Sequence, residues 1–271
     1  MTTSPASIPI PKTFVALGDS FTEGLDDPSP TGNSIFRGWA DRVAESFAAA
    51  EPRFRYANLA VRGRMLDRII DEQLPRALEL APELVSLAGG TNDVLRPSVD
   101  LDRIAARFEG AVRQLRENGS QVVLFQSVDP TSRSRLIGRT LPRVKALTTI
   151  VEETAERQQC VLVRLWGEPI FADSSVWSDD RLHLSPEGHA RVAGAVLEAL
   201  GLGDHGWATA PGPSVAPTRR AQVAADARWA RQHLVPWVSR RLRRVTSGDR
   251  VQPKLPDLAP VTWTDQTASG S

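Results

Sequence analysis

The first two hundred residues alternate between two patterns of apolar and polar positions. Short apolar-rich runs occur at Thr13–Leu17, Arg55–Leu59, Leu84–Ala88, Gln121–Ser127 and Cys160–Leu165. Segments such as Val122-Val123-Leu124-Phe125 are apolar without interruption, which suits strands covered on both faces. Between these runs lie longer stretches with apolar residues three and four apart: Gly38–Ala49, Met65–Leu80, Leu101–Glu117 and Leu141–Gln159. That period predicts helices, and a last one is expected over Pro186–Leu200. Five strands alternating with helices predict an α/β fold, a three-layer α/β/α arrangement with a five-stranded parallel sheet at its centre.

Several helix ends are legible. Asp100 precedes Leu101 as an N-cap, and Asn118-Gly119 supplies residues that tolerate a left-handed stop. Ser185-Pro186-Glu187 starts the last helix with a capping hydroxyl, a proline at the first position and an acid. Beyond Leu202 the pattern changes. Ala208–Pro217 is Ala/Pro-rich and reads as a linker. Thr218–Val245 reads as a helix with Val223, Ala227, Ala230, Leu234, Trp237 and Val238 near one face, kinked or split at Pro236. Val251–Ser271 holds three prolines and no period, so an extended or partly disordered tail is expected. The division expected is a catalytic unit over residues 12–203, a linker over 204–217 and a basic helical extension with tail over 218–271.

Composition narrows the choices. No run approaches the roughly 20 apolar residues that a bilayer span needs. Met1–Pro11 lacks a basic stretch followed by an apolar one, so no secretory signal is read there and a cytoplasmic location is expected. Cys160 is the single cysteine, which excludes an intramolecular disulfide, and it reads as a buried strand thiol. The four histidines are scattered without metal-ligand spacing, so neither metal nor cofactor is expected. The net charge of +1 conceals an asymmetry: from residue 201 onward ten Lys+Arg face five Asp+Glu (+5), leaving 23 against 27 (−4) before it. Nine arginines lie in the Arg219–Arg250 segment. Two readings stand for it: an anionic membrane surface as partner, or a helix that packs its apolar face on the domain and solvates its arginines. Nucleic acid is not an expected partner.

The candidate chemistry lies at the ends of the strands. The first strand runs into Gly18-Asp19-Ser20, leaving a serine at a glycine turn where α/β sheets carry their sites. Gly63 follows the second strand, Gly90-Thr91-Asn92-Asp93 the third, and Asp180-Arg181-Leu182-His183 the fifth. A serine hydroxyl is a weak nucleophile without a base, and His183 is the candidate base. Asp180 and Asp179 both stand close enough to orient its imidazole. Each piece alone also has an ordinary reading: Asp19 and Ser20 as helix caps, Asn92 as an Asx turn, Gly63 as a turn into the next helix. Asp93 reads as a support for its own loop, Asp129 as a turn residue, and His189 as surface or packing.

Taken together, Gly18-Asp19-Ser20, Gly63, Gly90-Thr91-Asn92-Asp93 and Asp180-x-x-His183 resemble the SGNH hydrolases of the GDSL esterase/lipase family. The resemblance covers about residues 12–201, and Phe21 stands where the family motif has leucine. It implies a flavodoxin-like strand order and a triad of Ser20, Asp180 and His183, the spacing favouring Asp180 over Asp179. It also implies an oxyanion hole from the Ser20 and Gly63 amides with the Asn92 side chain. The activity implied is hydrolysis of carboxylic esters, on a small-molecule ester such as a short acyl or acetyl ester, a lysophospholipid or a thioester. An acyltransferase with the same triad is the nearest alternative, and a non-catalytic binding protein working through the basic helix is another. The loops at residues 26–36, 95–99, 129–139 and 167–178 are expected to set specificity.

Overall fold

The computed structural model describes residues 9–29, 36–96, 98–129, 139–209 and 248–261. Five strands, β1 (Thr13–Leu17), β2 (Arg55–Asn58), β3 (Leu84–Leu87), β4 (Gln121–Phe125) and β5 (Val161–Val163), run parallel in the order β5-β4-β3-β1-β2. The connections are α1 (Ser20–Glu23), α2 (Gly38–Ala50), α3 (Leu66–Glu72), α4 (Leu74–Leu80), α5 (Thr91–Val94), α6 (Leu101–Glu117) and α7 (Leu141–Arg157). Helix α8 (Pro186–Ala199) follows β5. Winding reverses between β1 and β3, opening a crevice at their carboxyl ends, and both the Ser20 and the Asn92 turns leave from it.

The pleat sorts the core into two layers. Phe14, Ala16, Val123 and Phe125 face Trp39, Val43 and Phe47 of α2 and Val192 and Val196 of α8. Val15, Leu17, Val122 and Leu124 face Ile69 of α3, Phe108 and Leu115 of α6, and Leu147 and Val151 of α7. Neighbours along one strand therefore serve opposite layers, which is why β4 is apolar throughout.

The structure departs from the sequence reading at three places. The expected helix over Met65–Leu80 is two helices, α3 and α4, with Gln73 closing the first and preceding the second. Pro75 has no N–H to continue the ladder, so the chain re-starts there with proline in the first turn. Cys160 precedes β5 and is half-buried, its thiol pushed up to about 11 by burial. The segment set apart as a tail supplies a sixth strand, β6 (Leu255–Ala259), antiparallel to β2 through Tyr56↔Ala259 and Asn58↔Leu255. Prolines Pro256 and Pro260 suit only an edge position, which is where β6 lies. The expected linker beyond Thr209 and the helix over Thr218–Val245 lie outside the described residues, as does the part of Arg219–Arg250 that precedes Gly248. Among the described residues no helix is long and apolar enough to cross a membrane.

Candidate active site

The turn after β1 is fixed before any catalytic group is placed. The Gln73 carboxamide accepts from the Gly18 amide and donates to the Gly18 carbonyl, each at 2.9 Å. A Cβ at Gly18 would lie 2.5 Å from Thr22 Oγ1 and 2.8 Å from the Ala88 carbonyl, so this crossing under the end of β3 admits only glycine. Asp19 then caps α1, its Oδ1 accepting the Phe21 N–H at 3.1 Å. Ser20 is left as the first residue of that helix, beside the cleft.

His183 reaches the same point from the other end of the chain. Short 3₁₀ turns over Pro169–Ala172 and Ser174–Val176 follow β5 and lead into a tight reversal. Trp177 pairs with Leu184, and the Ser178 amide donates to the His183 carbonyl at 2.9 Å. Helix α8 starts immediately after, with the Ser185 hydroxyl accepting the Gly188 N–H. The imidazole Nε2 lies 3.0 Å from Ser20 Oγ and Nδ1 lies 2.6 Å from Asp180 Oδ2. The other carboxylate oxygen, Oδ1, accepts the Leu182 amide at 2.8 Å, the His183 amide at 2.9 Å and the Ser178 hydroxyl at 2.8 Å. A proton on Nδ1 satisfies Asp180 and leaves Nε2 as the acceptor for the serine hydroxyl.

Electrostatics follow from these contacts. Burial would raise the Asp180 pKa, but the His183 ring, its charge and the backbone amides outweigh burial and hold it well below the usual carboxylate range. Burial would lower that of His183; the Asp180 hydrogen bond and charge, with Asp26 and Asp19 farther off, reverse this and hold it above the ordinary imidazole value. Asp26 is a second acid beside the ring, its carboxylate 3.9 Å from Nδ1.

The three positions expected to hold an oxyanion stand differently. Ser20 is in place. Gly63 lies in the turn between β2 and α3, in the left-handed region (φ +72), and its amide donates to no acceptor among the described residues. It sits on the rim without lining the apolar cleft. The Asn92 amide donates to Asp19 Oδ2 at 3.0 Å and to the Arg64 carbonyl at 2.9 Å, tying the serine turn to the Gly63 turn. Asp93, expected to support its own loop, accepts the Leu66 amide at the start of α3 at 3.0 Å. His189 is buried: Nδ1 accepts the Trp39 amide, Nε2 donates to the Leu25 carbonyl, and burial pushes its pKa down to about 3.

Four contributors escaped the sequence reading: Gln73, Asp26, Ser178 and the Glu23–Arg62 pair. Glu23 accepts the Arg62 amide at 2.7 Å and its guanidinium besides. Only Gln73 left a trace, as a polar residue beside Pro75 on an otherwise apolar helix face. Ser178 acts on Asp180 from two residues away without a local pattern to mark it, and Asp26 and the Glu23–Arg62 pair depend on contacts between distant segments.

Beside Ser20 opens a cleft. Its wall is apolar, from Phe21, Leu25, Phe125, Val144, Leu147 and Trp177, with Gln126 and Ser127 among its polar groups.

Hydroxyl, imidazole and carboxylate in hydrogen-bonded series, at the carboxyl rim of a doubly wound sheet, define a site of the serine-hydrolase class. The chain belongs to the GDSL-like lipase/acylhydrolase family, whose sequence model matches residues 16–191, and it is a carboxylic ester hydrolase. Solved structures share its fold. TesA aligns at 20% identity and a TM-score of 0.57, over 69% of this chain and 97% of its own. Axe2, an acetylxylan esterase from Geobacillus stearothermophilus, aligns at 20% identity and 0.58, over 74% and 97%. A lipase/acylhydrolase from Enterococcus faecalis aligns at 19% and 0.56, over 69% and 95%. No curated protein matches the chain by sequence.

Proposed function

We propose that this chain hydrolyses esters through an acyl-enzyme on Ser20, with His183 as general base and acid, Asp180 as its orienting partner, and an apolar acyl group as the part of the substrate it recognises. The observation that carries the reading is the unbroken series Ser20–His183–Asp180 beside an apolar cleft.

In the first half-reaction Ser20 Oγ attacks the acyl carbon while its proton passes to His183 Nε2. The carbonyl electron pair moves onto oxygen. The amides of Ser20 and Gly63 are the donors for that oxyanion, with the Asn92 side chain as the third once it shares or releases the Arg64 carbonyl. Collapse breaks the bond to the alcohol oxygen, which takes the proton from Nε2. Water then gives its proton to Nε2, adds to the acyl carbon, and restores Ser20. The imidazolium formed twice in this cycle is stabilised by Asp180. The apolar cleft favours aliphatic acyl groups through the area they remove from water. The acetyl group named for Axe2, an acetylxylan esterase, is the smallest case of such a group.

Turnover of nitrophenyl esters from acetyl to decanoyl, by the native chain and by Ser20→Ala, tests the reading. Turnover lost in the variant, with an optimum beyond acetyl, is the expected result. Equal turnover by the two proteins would overturn the nucleophile assignment. Acyl products that appear only with an added alcohol would identify an acyltransferase instead.

A further inference from the structure

Residues 248–261 return to the catalytic rim and engage the two turns on which acyl transfer depends. The Lys254 side chain is only 7% exposed, and its ammonium is surrounded by oxygens. Its ammonium donates to the Glu23 carbonyl at 2.6 Å, the Phe36 carbonyl at 2.8 Å, the Arg37 carbonyl at 3.2 Å and the Asp41 carboxylate at 2.5 Å. The Glu23 carbonyl is at the last residue of α1, the four-residue helix whose first residue is Ser20. A helix end leaves such carbonyls without internal partners, and a helix this short has no length of its own to hold it. Lys254 therefore caps the nucleophile helix from outside.

The same strap grips the Gly63 turn. A Cβ at Gly248 would lie 1.9 Å from the Arg62 carbonyl oxygen, so the two backbones are in direct contact. Arg64 donates to the Gly248 carbonyl at 3.3 Å, and Arg68 pairs with Asp249 at 3.0 Å. On the opposite side the Glu23 carboxylate takes the Arg62 amide. Arg62 and Arg64, the two neighbours of Gly63, are thus clamped between α1 and the strap, while Lys254 links the strap back to α1. An ammonium withdrawn from water at this cost is more than a surface tether.

We propose that the Gly248–Lys254 strap is a positioning element for catalysis, holding the Ser20 helix and the Gly63 amide in the mutual register that the acyl carbonyl requires. Lys254 and Gly248 are its positioning residues. The inference rests on the serine-esterase reading above. Misplacement by about 1 Å costs roughly 10²-fold in rate, so a loosened strap should act on kcat.

The test uses the full chain carrying Lys254→Met or Gly248→Ala, with Asp257→Asn, on the solvent side of β6, as a control. Measured are kcat and KM on the best nitrophenyl ester, the pH profile, melting temperature, and the rate at which a fluorophosphonate labels Ser20. Expected are a fall in kcat and in labelling rate of about 10- to 100-fold in the folded variants, KM within about threefold, and an unmoved acid limb. The control should match the native chain. Gly248→Ala keeps every buried charge, so it reports even where Lys254→Met fails to fold. A lowered melting temperature with native kcat and labelling would overturn the proposal and leave the strap a stability element only. A native chain that neither turns over nor labels would overturn the esterase reading and this proposal with it.

Discussion

At the residue scale, the site depends on which charges surround one imidazole. As the general base proposed above, His183 must be neutral to accept the serine proton, and its pKa is raised above the ordinary value of 6.5. The acid limb of kcat/KM should therefore fall above that value. Asp26 contributes to the shift from 3.9 Å away. Removing its charge in Asp26→Asn disfavours the imidazolium, so the limb should move to lower pH, with maximal kcat little changed. An unmoved limb would mean that solvent screens Asp26 from the ring. Asp180→Asn should be far more damaging, lowering kcat by about 10³–10⁴-fold, because an amide that donates to Nδ1 selects the wrong tautomer. Steady-state kinetics on one ester would check both. Gln73 adds a structural case: it satisfies both backbone groups of Gly18. Gln73→Leu leaves the buried Gly18 N–H unpaired, while the Gly18 carbonyl keeps the Val61 amide, and should destabilise the fold by about 1–3 kcal/mol, read by denaturant unfolding.

At the element scale, the packing of α8 on α2 and on the chain after α1 passes through His189. Its two nitrogens bridge the Trp39 amide and the Leu25 carbonyl, and the folded protein protonates it only near 3. The unfolded chain takes that proton near 6.5. Unfolding is therefore favoured as pH falls through this window, and the stability that His189 lends at neutral pH drains away between the two values. Asp19, raised to about 6, and Asp41, raised to about 7, both chiefly by burial, bind protons more tightly when folded and oppose the trend. The difference between the native chain and His189→Gln isolates the histidine: the native melting temperature should drop more steeply with acid. Parallel curves would refute the assignment. Most element boundaries were legible because they have local causes, such as the Asp100 cap, the Ser185-Pro186 start and the Asn118-Gly119 stop. The break at Gln73–Pro75 was local too, and the sustained apolar period across it hid the missing N–H.

At the scale of the whole molecule, the C-terminal strand belongs to the sheet rather than to an appendage. β6 covers the outer edge of β2, which would otherwise present unpaired backbone groups. Native-state hydrogen exchange should find the inward-bonded amides of Leu255–Ala259 protected in step with those of β2, in one cooperative unit. Fast exchange in β6 beside a protected β2 would show the strand to be a detachable cover. The sequence reading set this segment apart as an extended or partly disordered tail because of its prolines and lack of period, and an edge strand that pairs on one side needs no stronger signal.

The sequence by itself determined the alternation of strands and helices, the two-sided burial of the sheet, and the places where Ser20, Gly63, Asn92, Asp180 and His183 stand at strand ends. These follow from periodicity and turn chemistry, which act over a few residues. The choice of Asp180 over Asp179 came from the motif spacing; tertiary structure alone decided which partners the Asn92 amide takes, and that Gln73, Glu23 and Lys254 brace the Ser20 and Gly63 turns. Lys254 lies 231 positions from Glu23 along the chain, and no local pattern marks a lysine whose acceptors are carbonyls at the ends of other elements.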